Sequence, residues 1–189
     1  MRNTLAEKID ATRKEVKALL AEHGERKISD VTVAQAYGGM RGVKCMVTET
    51  SAVDPVEGIR FRGYTIPQLQ ERLPRAPGGE EPLPEGVFYL LVTGGLPSES
   101  DVRAITAEWR AAETLPDPVK RALDALPADT HPMTQFSIGI LAMQRESKFA
   151  QCYRDGKMTK DEQWKTAFDD SMAILGRLPT LAAYIYRRT

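Results

Sequence analysis

Cysteine and histidine are the scarcest chemically useful residues in this 189-residue sequence, with two of each. Cys45 and Cys152 stand far apart, which fits reduced intracellular thiols better than the dense bridging of a small secreted domain. Neither the cysteines nor His23 and His131 fall at paired-ligand spacing, so no metal site is expected. An excess of charge of one sign is also missing: 26 basic and 26 acidic residues cancel, leaving no long-range field to hold the protein on nucleic acid or an anionic membrane. No apolar run approaches the roughly 18 residues of a membrane span, and the most apolar stretch, near the end, is interrupted by Gly176, Arg177 and Pro179. The first residues enter acid-containing helical sequence without a signal-peptide core or the acid-poor character of a transit peptide. The compartment expected is the cytoplasm, or the mitochondrial matrix for a protein already trimmed.

With 42% hydrophobic residues, the chain can close one ordinary core, and one domain is the default expectation. Thr4 and Glu7 have capping-box spacing and precede Leu5, Ile9, Val16, Leu19 and Leu20, predicting an amphipathic helix that ends near Gly24. Val43 to Thr50 and Ile59 to Arg62 are β-compatible and flank the turn-forming Asp54 to Gly58, predicting a small hairpin. Beyond it the pattern is helical, punctuated by proline and glycine. A short helix follows Thr65 and is ended by Pro74, a surface loop runs to Pro84, and further helices cover Pro84 to Thr93 and Glu99 to Glu113. Asp117 is expected to cap a helix from Pro118, and Pro132 to start another. Thr159 and Glu162 offer a capping box for a helix toward Gly176, with a last helix from about Pro179. That last helix reaches Thr189 with no cap or turn, so either the chain is cut in mid-element or a terminal helix frays on its own domain.

Chemistry-bearing motifs are few. Gly38 to Lys44 contains glycines and a lysine without the spacing of a phosphate-binding loop or dinucleotide fingerprint. Ser137 and Ser171 lack a nucleophile-elbow context and read as small helix residues. His131, before Pro132, could act as an acid near a helix dipole, but with no partner nearby a partly buried cap is the better reading; His23 reads as a helix-end residue. Arg60, Arg62, Arg72 and Arg75 read as ion-pair partners for acids such as Glu49, Asp54 and Glu57 rather than as an anion site.

Four long blocks then carry a resemblance. YGGMRGVKCMVTETSAVDPVEGIRFRGY from Tyr37, GGEEPLPEGVFYLLVTGGLP from Gly78, THPMTQFSIGILAMQRESKFAQCY from Thr130 and LPTLAAYIYRR from Leu178 together resemble, in order and spacing, the mitochondrial-type citrate synthases. The resemblance implies a mainly α, multi-helical fold, with residues 1–189 forming the amino-terminal part of the large domain and the small domain and catalytic segments absent. It implies an acyltransferase that condenses acetyl-CoA with oxaloacetate, works as a homodimer and has no tightly bound cofactor, acetyl-CoA being a substrate. The family's catalytic histidines and aspartate would follow Thr189, so this chain is expected to be inactive alone and to need the carboxyl-terminal portion as its partner. His131 matches a non-catalytic position. Arg41, within GGMRG, matches an arginine thought to reach CoA phosphates, which suits the forked guanidinium. A second basic contact falls in Gly156 to Lys160, where the sequence carries an extra residue before Trp164 and no arginine; Lys160, or Lys157, stands in its place as a point charge. Rival expectations are a split-enzyme scaffold subunit or a non-catalytic helical interaction module.

Overall fold

The computed structural model describes residues 1–44 and 46–188; Cys45, read above as a reduced thiol, and Thr189, where a helix was read as cut, lie outside the described residues. The chain is mainly helical with one short hairpin, and it divides into two compact units, Met1–Val102 and Arg103–Thr189. Among the described residues no helix is long and apolar enough to cross a membrane.

In the first unit, α1 runs over Arg2–His23. The Leu5 N–H already donates to the Met1 carbonyl at 2.9 Å, so Thr4 lies inside the helix instead of capping it. The apolar stripe of α1 is thinly covered: no residue is buried, and Val16, Leu19 and Leu20 are 42%, 58% and 62% exposed. A short helix α2, Val33–Tyr37, was not anticipated, although Thr32 and Gln35 have the T-x-x-Q spacing. They form a reciprocal capping box, with the Gln35 N–H donating to Thr32 Oγ1 at 3.2 Å and the Thr32 N–H to Gln35 Oε1 at 3.0 Å.

The hairpin is present, but its first strand is displaced from the expected 43–50. Strand β1 is Ser51–Asp54 and β2 is Gly58–Phe61, paired antiparallel from Ser51 opposite Phe61 to Asp54 opposite Gly58. The cause lies at both ends of the ladder. Asp54 Oδ1 accepts the N–H groups of Val56 and Glu57 at 2.8 and 2.9 Å, which closes the turn tightly. At the other end Arg62 takes a left-handed conformation, φ +48°, and turns the chain away once its N–H has met the Thr50 carbonyl at 2.8 Å, so the pairing reaches back no further than Thr50.

Helix α3, Ile66–Arg72, begins at Thr65 as expected, with Gln68 completing a capping box. Helix α4 spans Pro84–Thr93 and ends at Gly94, whose φ of +79° is the left-handed cap that glycine supplies without steric cost. Leu69, Leu73 and Leu90 form a small buried cluster, with Phe61, Tyr64 and Val87 packed around it.

Helix α5, Glu99–Ala111, leads into the second unit, which holds α6 (Asp117–Asp124), α7 (Pro132–Met143), a 3₁₀ turn at Gln144–Glu146, α8 (Lys148–Arg154) and α9 (Gln163–Arg188). Asp117 is the first helical residue of α6 and not its cap, which is Pro116, whose carbonyl accepts from Val119. The Thr159 hydroxyl donates to Glu162 Oε2 at 3.0 Å, a side-chain contact ahead of α9. Leu115, Val119, Leu123, Met143, Leu181 and Ile185 make the core of this unit.

The expected break between Gly176 and Pro179 is absent: α9 is one helix through both. Gly176 serves packing rather than termination, because a Cβ there would stand 2.5 Å from the Trp109 carbonyl oxygen and 3.1 Å from Ala112 Cβ. Pro179 is exposed, and its missing N–H and ring cost the helix about 3 kcal/mol. The buried face of Phe168, Met172, Leu181 and Ile185 runs past it on both sides and offsets that cost. Helix α8 was also not anticipated; Ser147 caps it, accepting from the Ala150 N–H at 2.9 Å. Among the described residues no extended sheet follows Leu83.

Candidate functional site

Arg41 lies in an exposed turn directly after α2. The Gly38 N–H donates to the Ala34 carbonyl at 2.9 Å, the Met40 N–H to Gln35 at 2.8 Å and the Val43 N–H to Met40 at 3.2 Å. Gly39, Met40 and Gly42 all have positive φ, +75°, +61° and +74°. Nothing lies within 4 Å of a Cβ built on Gly39 or Gly42, so these glycines are required by the backbone path and not by a close neighbour. The result is a tight open loop that presents the Arg41 side chain to solvent.

Lys160 belongs to the second unit, in the exposed connection between α8 and α9. Lys157, the other cation considered there, is paired with Asp155 at 3.3 Å. Arg41 and Lys160 are each accessible enough to meet an anion.

The two histidines are helix-end residues. His131 caps α7, its Nδ1 accepting from the Met133 N–H at 3.2 Å, but it is exposed where partial burial was expected. His23 closes α1 with its Nε2 3.4 Å from Glu22. The hydroxyls of Ser137 and Ser171 donate to carbonyls four residues back, at 2.9 and 2.8 Å, as helix residues do. Among the described residues no three His, Cys, Asp or Glu side chains come close enough to hold a metal ion.

The arginines divide by partner. Arg60 pairs with Glu57 at 2.8 Å and Arg62 with Glu49 at 3.9 Å, as expected. Asp54 instead serves the hairpin turn, whose two N–H donors hold its carboxyl below the usual range. Arg72 lies over the Tyr64 ring, 5.5 Å from its centroid, and Arg75 donates to the Gln70 carbonyl.

Two polar clusters in the second unit were not read from the sequence. Asp170 of α9 accepts from the Ser147 hydroxyl at 2.6 Å and from the N–H groups of Lys148 and Phe149 at 2.8 and 3.1 Å, fastening α8 by its N-terminus. At the end of α9, Arg188 donates to the Leu126 carbonyl at 3.0 Å and to Oε1 of the fully buried Gln135, and its Nε lies 3.4 Å from Asp124. The Tyr184 hydroxyl donates to the same Asp124 at 2.8 Å, which raises the phenol pKa. The one sequence signal was a glutamine on an otherwise apolar face of α7.

These features define a helical scaffold that offers basic side chains on open loops and contains no assembled acid–base pair among its histidines. A family model described as "Citrate synthase, C-terminal domain" matches residues 39–189. The mitochondrial citrate synthase of Aspergillus niger is 51% identical over 187 residues, 99% of this chain and 39% of that protein. That of Saccharomyces cerevisiae is 49% identical over 99% of this chain and 39% of its own length. A probable mitochondrial citrate synthase of Caenorhabditis elegans is 51% identical, with 40% of its length covered. Among solved structures, a complex of Thermoplasma acidophilum citrate synthase with carboxymethyl coenzyme A and oxaloacetate superposes with a TM-score of 0.59. It covers 80% of this chain and 35% of that one at 21% identity, a likeness of fold alone. The chain belongs to the citrate synthase family, and it spans about 40% of the length of these curated relatives.

Proposed function

We propose that this chain is the amino-terminal part of a citrate synthase large domain, which joins acetyl-CoA to oxaloacetate and releases citrate and CoA only when completed by the rest of the subunit. The observation that carries the reading is identity of about half the residues along essentially the whole chain to enzymes of that name, each some two and a half times as long. The side-chain inventory agrees with a supporting role. His131 is engaged with its own helix backbone and His23 with Glu22, so the proton transfers at the acetyl methyl group and the oxaloacetate carbonyl fall to residues outside this sequence. In the complete enzyme the chain supplies scaffold, part of a homodimer, and basic contacts to the CoA phosphates. The mitochondrial names of the relatives favour the matrix as its compartment.

Arg41 is the principal phosphate contact and Lys160 a secondary one. The exposed turn leaves the Arg41 fork free to meet two phosphate oxygens, which an ammonium group matches only as a point charge. The test is steady-state kinetics of the complete enzyme. Loss of one charge-assisted contact of about 1.5–3 kcal/mol predicts an Arg41→Ala KM for acetyl-CoA raised roughly 10- to 100-fold, with KM for oxaloacetate nearly unchanged. Lys160→Ala should act in the same direction and more weakly. Equal losses for both substrates, or none, would leave Arg41 a structural residue.

A further inference from the structure

Arg62 stands out as a non-glycine residue in the left-handed region, φ +48°, immediately before Gly63, which adopts φ +87°. An L-residue is held there only where its surroundings over-determine the conformation. Its backbone N–H donates to the Thr50 carbonyl at 2.8 Å. Its guanidinium donates through Nη1 to the Glu49 carbonyl at 3.2 Å, and through Nε and Nη2 to the Leu91 carbonyl at 3.1 and 2.8 Å. The Glu49 carboxylate lies 3.9 Å away, and the side chain is only 21% exposed. A single residue therefore joins the root of β1 to the last turn of α4, where unpaired helix carbonyls favour a cation.

We infer that Arg62 is a positioning residue for the segment bearing Arg41, an inference that rests on the reading of Arg41 as a CoA-phosphate contact. The Arg41 turn is tied on its amino side to α2 through the bond from Met40 to Gln35. On its other side the chain crosses 43–48, whose described residues have no regular structure, before reaching Glu49 and Thr50. Backbone pairing already holds Thr50 and Ser51; the Arg62 guanidinium extends that hold to the Glu49 carbonyl, so the tether behind Arg41 starts one residue nearer to it, which raises the effective concentration of the Arg41 guanidinium at a phosphate. A planar fork is needed to reach two carbonyls on different elements at once; lysine offers one point donor.

The experiment is a double-mutant cycle in the complete enzyme with Arg41→Ala and Arg62→Ala, reading kcat and both KM values. The expected result is a KM for acetyl-CoA raised about fivefold by Arg62→Ala when Arg41 is present and unchanged by it when Arg41 is absent, with kcat and KM for oxaloacetate steady. The same fold-change in both backgrounds would overturn the inference while leaving the Arg41 reading intact; an Arg41→Ala enzyme with normal kinetics would overturn both. If Arg62→Ala does not fold, Arg62→Lys in the 189-residue chain is compared with the parent by limited trypsin digestion. Cleavage after Arg41 and Lys44 should then be about fivefold faster, and an unchanged rate would overturn the clamp.

Discussion

Replacing Gly176 by alanine tests whether α9 is one helix pressed against α5. Helix propensity alone favours alanine by about 1 kcal/mol, so in a free or terminal helix the change would stabilise. Against this, the new methyl would stand 2.5 Å from the Trp109 carbonyl oxygen and 3.1 Å from both Trp109 Cα and Ala112 Cβ, where ordinary contact begins near 3.4 Å. Two of the three obstacles are backbone atoms, so relief requires the helices themselves to part. Overpacking of this kind costs up to about 3 kcal/mol, leaving a net loss near 2 kcal/mol after the propensity gain. At about 2–4 °C per kcal/mol for a chain of this size, the melting temperature should fall by roughly 4–8 °C. Circular dichroism melts of the 189-residue chain, compared with the Gly176→Ala variant, measure it. An unchanged or higher melting temperature for Gly176→Ala would refute the close α5–α9 packing.

Removing the Arg188 side chain strands the fully buried Gln135 carbonyl oxygen and should cost about 1–3 kcal/mol in urea unfolding. Substituting Gln135→Met as well should recover part of that loss, and no recovery would contradict the cause assigned. Asp101 is a pH-dependent cap: the Ser98 hydroxyl and N–H, donating at 2.6 and 2.9 Å, hold its carboxyl below the usual 3.8 in the folded chain. A lowered folded pKa contributes stability that is complete above 3.8 and fades as pH falls through the folded value, so wild type should lose more stability below pH 3.8 than Asp101→Asn does. Solvent screening keeps this effect small, and identical melting profiles for the two proteins across that range would count against it.

Much of the helical architecture was legible because local signals coincided with tertiary need. Pro84 and Gly94 bound α4, Thr65 opens α3 and Pro132 opens α7, since each sets backbone geometry by itself. Gly176 and Pro179 misled for the opposite reason. A glycine signals a helix end when it supplies a left-handed turn, but here it supplies room for another helix, and an exposed proline is tolerated because the buried face on either side is continuous. The register of the hairpin was similarly hidden, because it depends on Arg62 leaving the strand and arginine carries no turn signal. Asp117 and Thr4 are smaller instances, the caps Pro116 and Met1 falling one and three residues ahead of the polar candidates. The proposed phosphate contact rests on resemblance: the surroundings of Arg41 do not mark it, and an exposed arginine in a glycine-rich turn takes its proposed role from the family alone. The buried Gln135 network was beyond reach, as its members come from three separated helices and the loop after α6.

On the proposed function this chain holds scaffold and phosphate contacts, while the reacting groups lie in sequence outside it. The direct measurement is thiol release from acetyl-CoA in the presence of oxaloacetate, first with the purified 189-residue chain and then after co-expression with the remaining carboxyl-terminal portion of a citrate synthase. The expected result is no turnover from the chain alone, and turnover from the reassembled protein that falls when Arg41 is replaced by alanine. Turnover by the chain alone would contradict it.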